Sequence, residues 1–161
     1  MIDETSFKIL KILQEKARIP NVEVARQVGM VPSAVLERIR KLEHQGFIDG
    51  YEVRLNPEKF RKTLVAFIWV KAEKNNGSGE IGTALSEIPE IQEVHYVAGN
   101  DGYLVKLRAA DTTDLGRIVR ERVMPIEGVV DTRTTVVLST YKETARIPLG
   151  EHPIPENESN D

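Results

Sequence analysis

The sequence predicts an α+β chain in two parts, a helical N-terminal third followed by strands and helices in the order βαββαβ. Three observations predict it. Apolar residues recur at helical spacing through residues 4–45. Beyond residue 62, short apolar runs alternate with helical stretches and turn signals. Charge divides at the same place: residues 1–62 hold 12 Lys/Arg against 9 Asp/Glu, and the remainder 10 against 16. A basic front and an acidic back suit a separate module that meets a polyanion.

The first helix carries Phe7, Ile9, Leu10 and Leu13 on one side, with Asp3 placed to cap it. A short second helix runs from about Val22 to Val28 and stops at Gly29. A third opens on Pro32, favoured in a first turn, and closes at Gly46, where a left-handed cap is natural. Phe47–Leu55 then predicts a strand or wing turning at Asp49-Gly50. Polar Asn56–Lys62 marks a boundary. Six elements follow: a strand over Leu64–Lys71, a helix over Glu80–Ile88 and a strand over Ile91–Ala98, then a strand over Tyr103–Ala109, a helix over Leu115–Val123 and a strand over Val129–Tyr141. Asn100-Asp101-Gly102 supplies the turn of a hairpin. This is the ferredoxin-like plan. The expected organisation is a winged helix-turn-helix over 1–55, a linker over 56–62, a ferredoxin-like domain over 63–142 and an extended or disordered tail over 143–161.

Composition excludes several classes. With 40% hydrophobic and 29% charged residues, the chain has material for real cores. No apolar run approaches a membrane span, and the start Met1-Ile2-Asp3-Glu4 is not that of a secretory signal. There is no cysteine, so disulfides, thiolate-bound zinc and thiol catalysis are excluded, which fits the cytoplasm.

Two helices separated by Gly29-Met30-Val31 match a helix-turn-helix. On the second of them Val35, Leu36, Ile39 and Leu42 share an arc that packs inward. Ser33, Glu37 and Lys41 occupy the opposite arc, flanked by Ala34, Arg38 and Arg40. A major groove of double-stranded DNA admits such a helix. Residues near its N-terminus reach bases, so Ser33, Ala34, Glu37 and Arg38 are the candidate readers. Arg40, Lys41 and Arg54 are candidates for phosphate. An ordinary three-helix bundle with a solvated face fits the same pattern.

A longer string of residues narrows this choice. Ile2-Asp3, Ile9-Leu10, Leu13-Gln14, Ala17-Arg18-Ile19, Val24-Ala25, Val28-Gly29, Ser33-Ala34-Val35, Arg38, Leu42-Glu43 and Gly46-Phe47-Ile48 stand in a familiar order, continued by Gly50-Tyr51 and Leu55-Asn56-Pro57. Over residues 2–141 the chain resembles the Lrp/AsnC feast/famine regulators. The resemblance implies a winged helix-turn-helix joined to an amino-acid-sensing ferredoxin-like domain, in dimers that assemble to octamers. Two positions depart from the family: Val31 and Pro20 stand where it usually has a polar capping residue.

The run Leu64–Val70 is apolar on both faces, while the helices of a βαββαβ domain cover only one. The other face therefore calls for a second copy, and Val130, Thr132, Thr134, Val136 and Leu138 would form one face of the last strand. In Gly99-Asn100-Asp101-Gly102-Tyr103, Asp101 offers an acceptor for the ammonium of a free amino acid, and glycine-flanked backbone N–H groups offer donors for its carboxylate. The resemblance places effectors at this hairpin, between neighbouring dimers. Val97, Ala98 and Leu104 would then line the pocket, with Thr134 or Thr135 from a neighbour.

Gly77-Ser78-Gly79-Glu80-Ile81-Gly82 satisfies G-x-G-x-x-G, with Asp101 near the spacing of a ribose-binding acid. Glu73–Asn76 separates the strand from the first glycine, and the next connection is a hairpin rather than a parallel crossover, so a polar loop before a helix explains it better. His44, His95 and His152 have no metal-ligand spacing. No catalytic constellation is evident, and neither a cofactor nor a metal is expected. The function expected is therefore a sequence-specific regulator responding to a small amino acid. The alternatives are an effector-independent architectural DNA-binding protein and a sensor whose helices dock a protein.

Overall fold

Asp3 sets the start of the chain's order: its carboxylate accepts the Ser6 N–H at 2.7 Å and caps α1 (Glu4–Glu15). The computed structural model describes residues 2–73, 79–99 and 102–151. It divides into two compact units, Met1–Arg54 with Glu143–Asp161, and Leu55–Lys142.

In the first unit α2 (Asn21–Val28) ends on Gly29 at φ 70°, and α3 (Pro32–His44) is followed by Gly46 at φ 74°. Both glycines hold left-handed conformations that a side chain resists. Neither Pro20 nor Val31 donates a side-chain cap to the helix it precedes. Ile9, Leu13, Val24, Ala25, Val35, Ile39 and Leu42 make the core, with Ile2, Leu10, Ile19, Val28 and Ile48 packed against it. Leu36, expected in that inward arc, instead lies at its rim and is 37% exposed.

The expected strand after α3 does not form. Residues 48–56 take no helix or strand, and Tyr51, Val53 and Leu55 are exposed. A strand needs a hydrogen-bonded neighbour, and among the described residues none pairs with this stretch. Within it the Tyr51 hydroxyl donates to Glu43 at 2.9 Å.

The second unit holds β1 (Leu64–Ala72), α4 (Glu80–Ser86), β2 (Ile91–Val97), β3 (Gly102–Ala109), α5 (Thr112–Ile118) and β4 (Val129–Val136). A wider π turn, Val119–Val123, extends α5. The sheet runs β2-β3-β1-β4, antiparallel at every described pairing. Ala66, Ile68 and Val70 on β1 meet Tyr103, Val105 and Leu107 on β3, and these pack with Ile81, Leu85, Leu115 and Ile118 of the helices. Burying each large side chain there stabilises the fold by about 1.5–3 kcal/mol. Both helices thus lie on one face of the sheet.

Register corrects the expected role of the last strand. Thr132, Thr134 and Val136 oppose Val70, Ile68 and Ala66, so they belong to the helix-covered face. The uncovered face carries Arg133 and Thr135 opposite Trp69 and Phe67. The strand also stops at Val136 rather than Tyr141, because its partner β1 begins at Leu64; Val137 makes a last backbone bond to Val65, and Leu138 is 95% exposed.

Candidate functional site

One long face of α3 points to water. Ser33, Leu36, Glu37, Arg40, Lys41 and His44 share it, while Val35, Ile39 and Leu42 turn inward. The sequence places Ser33, Glu37 and Lys41 on this face and Arg40 at its flank; Arg40 is exposed with them. The apolar pattern assigns Leu36 inward, and the structure moves it to this face. Lys41 and His44 put basic side chains in the last turn, where the helix carbonyls favour them. Arg54 is exposed in the irregular stretch beyond the helices.

Ala34 and Arg38 sit at the border of the face, both partly buried. The Arg38 guanidinium turns back to α1, donating to the Asp3 carboxylate and, at 2.9 Å, to the Ser6 hydroxyl. Arg38 and the Ser6 N–H, in that order, hold the Asp3 carboxyl at about 2, below its ordinary 3.8. α3 is thereby tied to the cap of α1.

At the other candidate site, β2 and β3 form the expected hairpin. Ala98 and Gly99 are exposed, and Gly99 has φ 96°. Asn100 and Asp101 lie outside the described residues. Gly102 is buried against β1, and a Cβ there would sit 2.1 Å from the Val70 carbonyl oxygen. Val97 pairs with Gly102, and Leu104 with Trp69, on the uncovered face. Tyr103 points the other way into the core, its ring against Gly82 of α4 and edge-on to Tyr96. Thr134 and Thr135 are exposed on opposite faces of β4, beyond β1 from the hairpin. Among the described residues, a single chain therefore does not gather the expected ligand residues into one cavity.

The uncovered sheet face mixes apolar and paired charged groups. Val65 is buried, Phe67, Trp69, Val97 and Leu104 are half-buried, and Arg133 stacks over the Trp69 ring. Lys106 donates to Glu93 at 3.0 Å, which with His95 holds the Glu93 carboxyl below its ordinary value. Among the described residues, no group of three His, Asp or Glu stands together to hold a metal ion. No described helix is long and apolar enough to cross a membrane.

Family comparison follows this division of the chain. A model of winged helix-turn-helix DNA-binding domains matches residues 2–49, and one of the Lrp/AsnC ligand binding domain matches residues 65–147. The chain belongs to the Lrp/AsnC family. It is 38% identical over 152 residues to the leucine-responsive regulatory protein of Escherichia coli (strain K12), covering 92% of each. Its fold matches a transcriptional regulator of Neisseria meningitidis in complex with L-methionine, with a TM-score of 0.86, 30% identity and coverage of 92% and 97%. It also matches a feast or famine regulatory protein of M. tuberculosis complexed with L-methionine, with a TM-score of 0.83, 27% identity and coverage of 91% and 99%. This Lrp/AsnC member is a ligand-responsive transcription regulator, in a family of regulators rather than enzymes.

Proposed function

We propose that the chain binds double-stranded DNA as a homodimer, with α3 in the major groove, and that a free amino acid held at the β2–β3 hairpin between dimers alters that binding. The observation that carries the DNA reading is the exposed face of α3. Ser33 and Glu37 lie near its N-terminal end, with Arg40 and Lys41 beside them. A glutamate in that place accepts from cytosine, and a serine bonds to either edge; Arg40, Lys41 and Arg54 neutralise phosphates. Ala34 borders the same surface, and Arg38 serves it from behind.

The amino-acid reading is supported by two relatives whose structures hold L-methionine, and by the hairpin's composition. Asp101 accepts from the ammonium group, while backbone N–H groups around Asn100 and Gly102 receive the carboxylate. Val97, Ala98 and Leu104 border the side chain, and Thr134 or Thr135 comes from a neighbouring chain. The half-buried Phe67, Trp69 and Leu104 on the uncovered sheet face support a dimer, and assembly of dimers into octamers brings hairpins of neighbouring dimers together.

Fluorescence anisotropy tests the proposal. The purified chain is titrated on a duplex from upstream of its own gene and on a random duplex, at several salt concentrations, with and without each free amino acid. Tighter binding to the upstream duplex, weakened by salt and changed by one amino acid, is expected. Equal affinity for both duplexes, untouched by every amino acid, points instead to an architectural DNA binder.

A further inference from the structure

Residues 143–151 form no helix or strand, yet they lie with the unit that holds α1 to α3. Their contacts fall on one edge of α1. The Gln14 amide reads the backbone of Ile147 in both directions: its Nε2 donates to the Ile147 carbonyl at 2.9 Å, and the Ile147 N–H donates to its Oε1 at 3.1 Å. The Arg146 guanidinium forks onto Glu15, reaching the side-chain carboxylate at 2.9 Å and the backbone carbonyl at 3.1 Å. The Thr144 hydroxyl holds the Arg146 N–H, and Lys11 donates to the Glu151 carbonyl at 3.4 Å.

The place of these contacts has a physical reason. Glu15 is the last residue of α1, whose final turn has no basic side chain of its own. The last carbonyls of a helix lack partners within it and attract cations. Arg146 supplies both a donor and a charge there. A paired backbone segment on a glutamine amide is also register-specific, since only one residue can give and accept at once. Residues 143–147 are moreover part of the stretch that matches the ligand-binding family model, 65–147. The same family segment thus begins in the ligand-binding unit and ends docked on the DNA-binding one.

We propose that Glu143–Glu151 is a strap whose docking surface is the Lys11–Gln14–Glu15 edge of α1, and that it carries ligand occupancy to the DNA-binding unit. The first part stands on the contacts alone; the second rests on the amino-acid reading above. The linker before β1 gives each DNA-binding unit one covalent tether, and the strap gives it a second, continuous with β4. Two tethers narrow the orientations a unit samples, which sets how readily paired units engage one duplex. A ligand that favours one arrangement of β4 and its neighbours is then felt at α1; a ligand indifferent to both arrangements transmits nothing.

The test uses the full chain, a Gln14→Ala/Arg146→Ala double variant and a chain ending at Lys142. Amide hydrogen exchange of Ile147, measured without any amino acid, reads the docking. Slow exchange in the wild type that becomes at least tenfold faster in the double variant is expected; exchange at the rate of an unstructured peptide in the wild type overturns the strap. Anisotropy on the upstream duplex with L-methionine, then L-leucine, reads the coupling. Both variants are expected to bind DNA within about threefold of wild type while losing most of the amino-acid-induced change. Variants that respond as fully as wild type overturn the coupling and leave a merely structural clasp. A wild type that ignores both amino acids overturns the coupling to them along with the amino-acid reading, and Ile147 exchange still decides the docking.

Discussion

At the scale of single residues, Arg38 carries the sharpest consequence. On a helical wheel it flanks the polar arc and invites a role in reading bases. Its guanidinium is instead committed to Asp3 and Ser6, 35 and 32 residues earlier in the chain. Side-chain exposures of 34% and 55% for Arg38 and Asp3 leave the pair partly screened, so its contribution is about 0.5–1 kcal/mol. Asp3 has a folded pKa of about 2, below the ordinary value of an unfolded chain. Its stabilisation is therefore complete above pH 4 and disappears as pH falls through 2. Asp3→Asn is expected to lower the melting temperature by a few degrees at pH 6 and to match wild type near pH 2. Arg38→Ala is expected to lower both stability and DNA affinity, whereas a pure base reader loses affinity with its melting temperature unchanged. Calorimetry over pH, beside anisotropy at pH 7, separates these outcomes.

Whole elements respond to their ends and their backbones more than to any one side chain. α3 is preceded by Val31, which has extended φ and ψ but no side-chain oxygen and is 62% exposed. Val31→Ser keeps that backbone and adds an acceptor for the first turn, so the chain is expected to gain about 0.5–1 kcal/mol in urea unfolding. At the other site Gly102 joins the hairpin to β1, where any Cβ strikes the Val70 carbonyl. Gly102→Ala is expected to cost at least about 2 kcal/mol by separating β3 from β1, with broadened amide signals along Lys71–Tyr103. These elements also mark how much was legible beforehand. Helix stops at Gly29 and Gly46, the cap at Asp3 and all four ferredoxin-like strands follow from local chemistry, and so were readable. Which face each residue of β4 takes depends on its register with β1, a long-range pairing that alternation alone leaves open by one residue. The engagement of Arg38 was hidden for the same reason, since its partners are distant in sequence. The clasp of Arg146 and Ile147 on α1 gives no local signal at all, only a proline-rich polar segment.

For the whole molecule, the unanswered demand is the sheet face opposite α4 and α5. Phe67 and Trp69 at its centre are only half-buried, and the nearby Lys106 is already paired with Glu93. A pair that keeps its partner on burial costs much less than a lone charge, so the face is ready to close against another apolar surface. A second copy of the chain supplies one with the same pattern, and a twofold arrangement puts two α3 helices on one duplex. Phe67→Glu inserts an unpaired carboxylate in the middle of this face without touching the helix-covered core. The variant is expected to sediment as a monomer at micromolar concentration, where wild type is at least a dimer. Helical content should be preserved, because α1 to α3 bury their own core independently. On DNA the monomer should lose ten- to a hundredfold in affinity for the upstream duplex, and its dependence on log salt should fall by about half, since half the phosphate contacts are gone. A Phe67→Glu chain that still sediments as wild type would place the dimer elsewhere, and the exposed Tyr51, Val53 and Leu55 beyond α3 would become the surface to substitute next.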